Sequence, residues 1–425
     1  MKLRLTILNF FQFFIWGAWL ITFGNYWFGT RHWSGADFGI IFSTMGISSL
    51  FMPALTGMIA DRWINAERLY GALHLLGGAA LFCIPRIDTP STFFWGILAA
   101  MIFYMPTLSL ANTIGYTILK NAGRDVVREY PPIRMFGTVG FIVAMWVVNL
   151  TGNKASAGQF TIAAVFSALL GLYAFTMPRC PPPGRGIARK SWARIFGLDA
   201  FALFKQRKMA LFFIFSMCLG AALQLTNAYG DIFLSDFAGN PAYGPGSLVA
   251  RYSTLIMSIS QMSETLFILA IPFFLKKFGI KNVMLISMVA WVLRFGLFAG
   301  GNPSGGLWMI ILSCIIYGMA FDFFNIAGSL FVETTTTPDI RASAQGLFMM
   351  MVNGIGATLG SSISGLVIQG CFTAADGQTK NWPGIWLAFS AYMLVVTVLF
   401  AIFFKHNSGD QAGQRRQTER RQAVD

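Results

Sequence analysis

Charge is what this chain has least of. Only 11% of its 425 residues are Asp, Glu, Lys or Arg, against about 25% in an average soluble domain. So few charges cannot solvate the surface of a soluble protein of this size, which sets aside a soluble enzyme or a nucleic-acid binder. Histidine is scarce too, with three residues, and the five cysteines (Cys83, Cys180, Cys218, Cys314, Cys371) are scattered. Without a CxxC spacing or a Cys/His cluster there is no disulfide framework or metal site to expect, and no cofactor. No nucleophile–base constellation stands out either. His32 and His406 fall in or near loops, and His74 stands alone in an apolar run as a hydrogen-bonded packing residue. The chain is not expected to be an enzyme. Short strands alternating apolar and polar residues are also missing, which excludes an outer-membrane barrel.

What is present is apolar: 55% of residues, including 42 Phe. Runs long enough to cross a bilayer lie near 7–28, 37–60, 69–85, 92–118, 134–151 and 159–177, then near 209–235, 249–275, 282–299, 307–332, 343–370 and 384–404. The first is too long for a signal-peptide core and reads as a retained span. The pattern predicts an all-α polytopic membrane protein with two six-helix bundles, 1–177 and 209–404. Between them, 178–208 is a basic linker with Pro181, Pro182 and Pro183, in which Ser191–Phe204 is expected to form a short interfacial helix. Residues 405–425 form a basic tail.

The net charge of +14 sits in loops, not on a basic stripe of a soluble fold. Lys2, Arg4, Arg62, Arg68, Lys120, Arg124, Arg128, Lys276, Lys277, Lys281, Arg341, the linker and the tail fall on one side. Arg31, Arg86, Lys154, Arg251 and Lys380 fall on the other. By the positive-inside rule both termini are cytoplasmic.

Six spans, a basic linker and six more resemble the major facilitator superfamily, in which two pseudo-symmetric halves rock about a site at mid-membrane. Gly57-Met58-Ile59-Ala60-Asp61-Arg62, after the second span, matches that superfamily's G-x-x-x-D-R loop. Gly57 would permit close helix contact, and Asp61 with Arg62 would latch the cytoplasmic ends of neighbouring helices. The usual downstream basic residues are replaced by Trp63-Ile64-Asn65.

A charge inside a span costs about 2.5–3.5 kcal/mol on insertion scales, so such residues point to function. Glu264, Asp322, Arg294 and Arg134 stand out. At 1.5 Å per residue, Glu264 and Asp322 lie roughly 16 and 15 Å above the cytoplasmic ends of their spans, in one layer suited to binding and releasing a proton. Arg294, about 20 Å up, is expected either to snorkel or to pair with Asp322. Uncharged polar and aromatic residues recur at that level. Gln224 and Asn227 share a helix face, as do Gln261 and Glu264, Tyr317 and Phe321, and Arg134 and Thr138 with Phe141 three further on. Asn112 and Tyr116 are further candidates. Amides, carboxylates, a guanidinium and aromatic faces suit an uncharged planar or multi-hydroxyl solute; a sugar remains an alternative by residue type.

Over these residues the chain resembles the bacterial nucleoside:proton symporters, the nucleoside permease branch of the superfamily. The strings that carry the resemblance include FMPALTGMIADRW (51–63), PPIRMFGTVGFIVAMWVV (131–148), FFIFSMCLGAALQLTN (212–227), MSISQMSETLFIL (257–269) and YGMAFDFFNIAGSLFVE (317–333). The resemblance implies proton-driven uptake of purine and pyrimidine nucleosides, uridine and adenosine among them, across the bacterial inner membrane by a monomer. It implies substrate contacts from Arg134, Thr138, Phe141, Gln224, Asn227, Gln261, Glu264, Tyr317 and Phe321, and proton coupling through Asp322 and Glu264. Ala222 replaces an acidic residue of a close relative, and the loops around 236–248 and 371–382 diverge, so a xanthosine transporter competes for substrate identity.

Overall fold

The computed structural model describes residues 1–182, 198–244 and 246–405. A first group of helices comprises α1 (Lys2–Gly17), α2 (Gly35–Arg62), α3 (Ala66–Cys83), α4 (Pro90–Asn121), α5 (Val126–Leu150) and α6 (Gly158–Ala174). A second comprises α7 (Arg207–Ser235), α8 (Ser253–Gly300), α9 (Leu307–Thr335), α10 (Pro338–Met349), α11 (Ala357–Val367) and α12 (Trp382–Phe403). Among the described residues, the one extended pairing is a bridge between Thr373 and Lys380. Among the described residues nine helical stretches are long and apolar enough to cross a membrane, the 48-residue α8 and the run Ser343–Phe372 through α10 and α11 among them.

Local signals set the helix ends. Ser34 caps α2 by accepting from the Asp37 backbone N–H at 3.2 Å, with Asp37 itself in the positively polarised first turn. Thr89 caps α4 in the same way, with Pro90 at the first helical position where no N–H is needed. Large apolar side chains such as Leu266 (68% exposed) and Leu269 (77%) point outward. A soluble protein would not tolerate that apolar surface, whereas lipid would cover it.

Because lipid is as apolar as the core, these helices associate through close packing and interhelical hydrogen bonds. Gly318 of α9 shows how close. A Cβ there would come within 2.6 Å of the Ser263 carbonyl oxygen on α8, and Ser263 donates to the Ile315 carbonyl. Gly39 of α2 lies equally tight against the Ser361 carbonyl of α11, joining the two groups.

The structure departs from the expected spans in three places. The first span is not continuous: α1 ends at Gly17, residues 18–22 form turns, and Asn25–Thr30 is π-helical. The eleventh is continuous but has π-helical stretches at Met350–Gly356 and Ile368–Phe372. The eighth and ninth are joined, with Gly279 at φ 75° and ψ 169° as the only non-helical residue within α8. That backbone region favours glycine, so one residue reverses the chain. Of the expected interfacial helix, Ser191–Phe204, the first half (191–197) lies outside the described residues, and the second half falls in a 3₁₀-helix, Leu198–Lys205. The basic tail beyond Lys405 also lies outside them.

The two groups meet at the end of the bundle opposite Met1 and Gly279. Asn25 donates to Asp231. Lys154 Nζ donates to Ser235 Oγ (3.2 Å), the Ala250 carbonyl (2.6 Å) and Ser253 Oγ (2.9 Å). Trp146 bonds Ser258, Asn149 the Arg251 carbonyl, and Gln369 the Gly35 N–H. Lys380 sits 3.8 Å from the Phe28 ring centre. All of these contacts belong to one seam. At the other end, a Cβ on Gly57 would meet nothing within 4 Å and Arg62 is exposed. The cleft between the groups opens there, and the close helix contact expected at Gly57 is not made.

Candidate functional site

The walls of the cleft come from α5 on one side and from α7, α8 and α9 on the other. Arg134 of α5 is half-buried, with its guanidinium carbon 3.9 Å from the Phe13 ring centre on α1. That is a cation–π contact, and it orients the charge without neutralising it. Thr138, one turn on, is half-buried. Phe141 is 8% exposed and meets Trp16 edge to face at 6.4 Å.

Across the cleft, Asn227, Gln261, Glu264 and Phe321 are half-buried, while Gln224, Tyr317 and Asp322 are buried. Tyr317 and Phe321 stack at 6.0 Å with their planes 10° apart. Glu264 is within electrostatic reach of Arg134 on the facing group and of Asp322 on α9. The structure therefore brings Arg134, Glu264, Asp322 and Tyr317 into one electrostatic cluster that spans the two groups. Gly318, by letting α9 lie directly on Ser263, sets the spacing of Glu264 and Asp322.

Several acceptors in this layer are buried and have no hydrogen-bond partner: Gln224 Oε1, Gln261 Oε1 and Asp322 Oδ2. An unpaired acceptor out of water costs about 1–3 kcal/mol, so the wall is built to receive donors. A multi-hydroxyl solute with N–H groups supplies them. Among the described residues no cluster of three or more metal-ligating side chains occurs.

Arg294 neither snorkels nor pairs with Asp322. It is fully buried, and its donors go to Thr226, Ser260 and the Ser313 carbonyl. The cation within electrostatic reach of Glu264 is Arg134. Asn112 is taken up by Tyr130, whose hydroxyl donates to it at 2.6 Å, and Tyr116 packs edge-on against Tyr130. His74 is a packing residue bonded to Ser167 (3.1 Å) and Gln12 (3.0 Å).

Two residues escaped the sequence reading. Trp16 contacts Phe141 and Tyr104, and its buried indole N–H has no partner. Asp231, fully buried in α7, holds the seam. An Asp one turn beyond Asn227, still inside the seventh apolar run, was the available signal.

A sequence profile described as nucleoside H+ symporter matches residues 1–409. The nucleoside permease NupG of Escherichia coli (strain K12) is 50% identical over 407 residues, 96% of each chain. The xanthosine permease of the same organism is 50% identical over 406 residues, 95% of this chain and 96% of that one. A crystal structure of a point mutant of the nucleoside transporter NupG superposes with a TM-score of 0.92, covering 95% of this chain and 100% of the other.

Proposed function

The chain belongs to the nucleoside H+ symporter family, and we propose that its solute binds in the cleft between Arg134, Thr138 and Phe141 on one wall and Gln224, Asn227, Gln261, Glu264, Tyr317 and Phe321 on the other. It is a multi-pass transporter of the bacterial inner membrane, not an enzyme, and it takes up nucleosides with protons. In this reading Asp322, with Glu264 beside it, carries the coupling proton. Phe141 and Phe321 offer faces to the base, and the amides read its edges and the ribose hydroxyls.

The observation that supports this assignment best is the set of unpaired acceptors, Gln224 Oε1, Gln261 Oε1 and Asp322 Oδ2, in one layer. Closing the cleft over an ionised, unpaired carboxylate is costly in a low dielectric. Solute and proton together remove that cost, and each biases the same two-state equilibrium. With Lys/Arg-rich loops in the cytoplasm, the cleft opens inward and the seam of Asn25, Asp231 and Lys154 closes the outer side. Gly57, Asp61 and Arg62 then serve as the inner latch of the opposite state, and the working unit is the monomer.

The test is uridine uptake into proteoliposomes with and without an imposed acid-outside gradient. Uridine should accumulate only with the gradient, and excess adenosine should compete. Competition by xanthosine alone would favour a xanthosine-specific carrier, which the equal identity to the xanthosine permease keeps in view. Competition by a sugar such as sucrose would overturn the nucleoside assignment.

A further inference from the structure

Arg294 lies away from the cleft, yet three of its hydrogen bonds go to residues beside the cleft wall. Its guanidinium also lies over Phe298 at 5.0 Å, and Nη2 has no partner. Nε donates to Thr226 Oγ1 (3.3 Å), and Nη1 donates to Ser260 Oγ (3.3 Å) and to the Ser313 carbonyl (2.8 Å). The guanidinium carbon lies 4.6 Å from the Tyr317 ring centre. Among the described residues no carboxylate lies within ion-pair distance of it. A charge held out of water without a counter-ion costs several kcal/mol, and an apolar side chain of similar volume would fill the space without that cost. Packing alone is therefore a poor reason for an arginine here.

Its partners sit on three helices, each beside a residue assigned to the solute. Thr226 precedes Asn227 on α7, and Ser260 precedes Gln261 on α8. Ser313 lies one turn before Tyr317 on α9. Adjacent helical residues point about 100° apart, so holding Thr226 and Ser260 toward Arg294 turns Asn227 and Gln261 away from it. We infer that Arg294 is a positioning residue of the solute site: it fixes the rotation of α7, α8 and α9 so that Asn227, Gln261 and Tyr317 face the cleft. The inference rests on the site proposed above. Arginine suits the task because its planar fork of donors reaches several acceptors at once, which a lysine ammonium on a flexible stem does not reproduce.

Three variants test it in the purified full-length protein: Thr226→Val, Ser260→Ala and Arg294→Lys. Thr226 and Ser260 are buried and turn their hydroxyls to Arg294, so their loss reaches the solute only through it. Each hydroxyl deletion should raise the Kd for uridine about threefold to tenfold, the effect of one hydrogen bond. Arg294→Lys should raise it at least about tenfold, and Thr226→Val added to Arg294→Lys should contribute less than it does alone. If Arg294→Lys does not fold, the two hydroxyl variants decide. A lowered melting temperature with unchanged Kd in both hydroxyl variants overturns the positioning role. Gln261→Ala, run in parallel, separates the two failures. If it loses affinity while the hydroxyl variants do not, only the role of Arg294 falls; if it also keeps the wild-type Kd, the site assignment falls as well.

Discussion

Asn25, in the π-helical turn that follows α1, donates its amide to the carboxylate of Asp231 on α7, with Asn25 6% exposed and Asp231 not at all. The bond crosses from one group of helices to the other, and the Lys154 ammonium acts on the same carboxylate. Truncating one member of a buried, hydrogen-bonded charge cluster costs about 3–5 kcal/mol. Asp231→Ala should therefore loosen the seam and populate the state open on that side. Thiol reagents should label Ser258→Cys, a buried position on the seam, much faster in the Asp231→Ala background than alone. Equal labelling rates would mean that the seam does not govern opening.

Asp322→Asn keeps the size of the side chain but removes its titration. In the proposed coupling it should abolish uphill uridine accumulation under an acid-outside gradient while sparing downhill exchange. Persistent concentrative uptake would assign the proton elsewhere, with Glu264 first in line.

Phe141→Ala should do two separable things. Losing a stacking face should weaken uridine binding by about 0.5–1.5 kcal/mol. Losing a buried ring that meets Trp16 should also lower stability by about 3–5 kcal/mol. A melting curve read beside a binding isotherm distinguishes them, and lowered stability with unchanged affinity removes Phe141 from the site.

Cys180 should resist alkylation although it lies outside the helices. It is buried, its N–H donates to Glu67 Oε2 at 2.8 Å, and Ala66 N–H donates to its carbonyl. Burial, reinforced by the Glu67 carboxylate, pushes its thiol up to about 12, so almost no thiolate exists at pH 8. Maleimide at that pH should mark the exposed Cys83 and Cys371 first. Glu67→Gln should leave Cys180 slow as long as the segment stays docked, and rapid labelling would show that the carboxylate alone holds it.

The helical character and the polar layer were legible because both depend on local pattern: long apolar runs, and polar residues three or four apart within them. Direction was not legible. The depth of Arg294 follows from counting residues, but whether it reaches for water, for Asp322 or for three hydroxyl and carbonyl acceptors depends on helices far away in sequence. Asp231 was passed over for a related reason. Near the end of an apolar run an acid looks like an interfacial residue, and only its partner Asn25, about two hundred positions earlier, marks it as buried. The loop expected near Lys276, Lys277 and Lys281 shrinks to Gly279, because a single left-handed glycine makes the reversal that sequence reading assigns to several residues.

That reversal constrains any rocking motion. Glu264 and Arg294 stand fifteen residues to either side of Gly279, on two arms of one stiff tweezer with hardly any slack at its bend. Neither arm can slide past the other without unwinding helix, so the acid and the buried cation travel through the cycle as a fixed pair. In the proposed cycle the distance free to change is instead that from Glu264 to Arg134 on the other bundle.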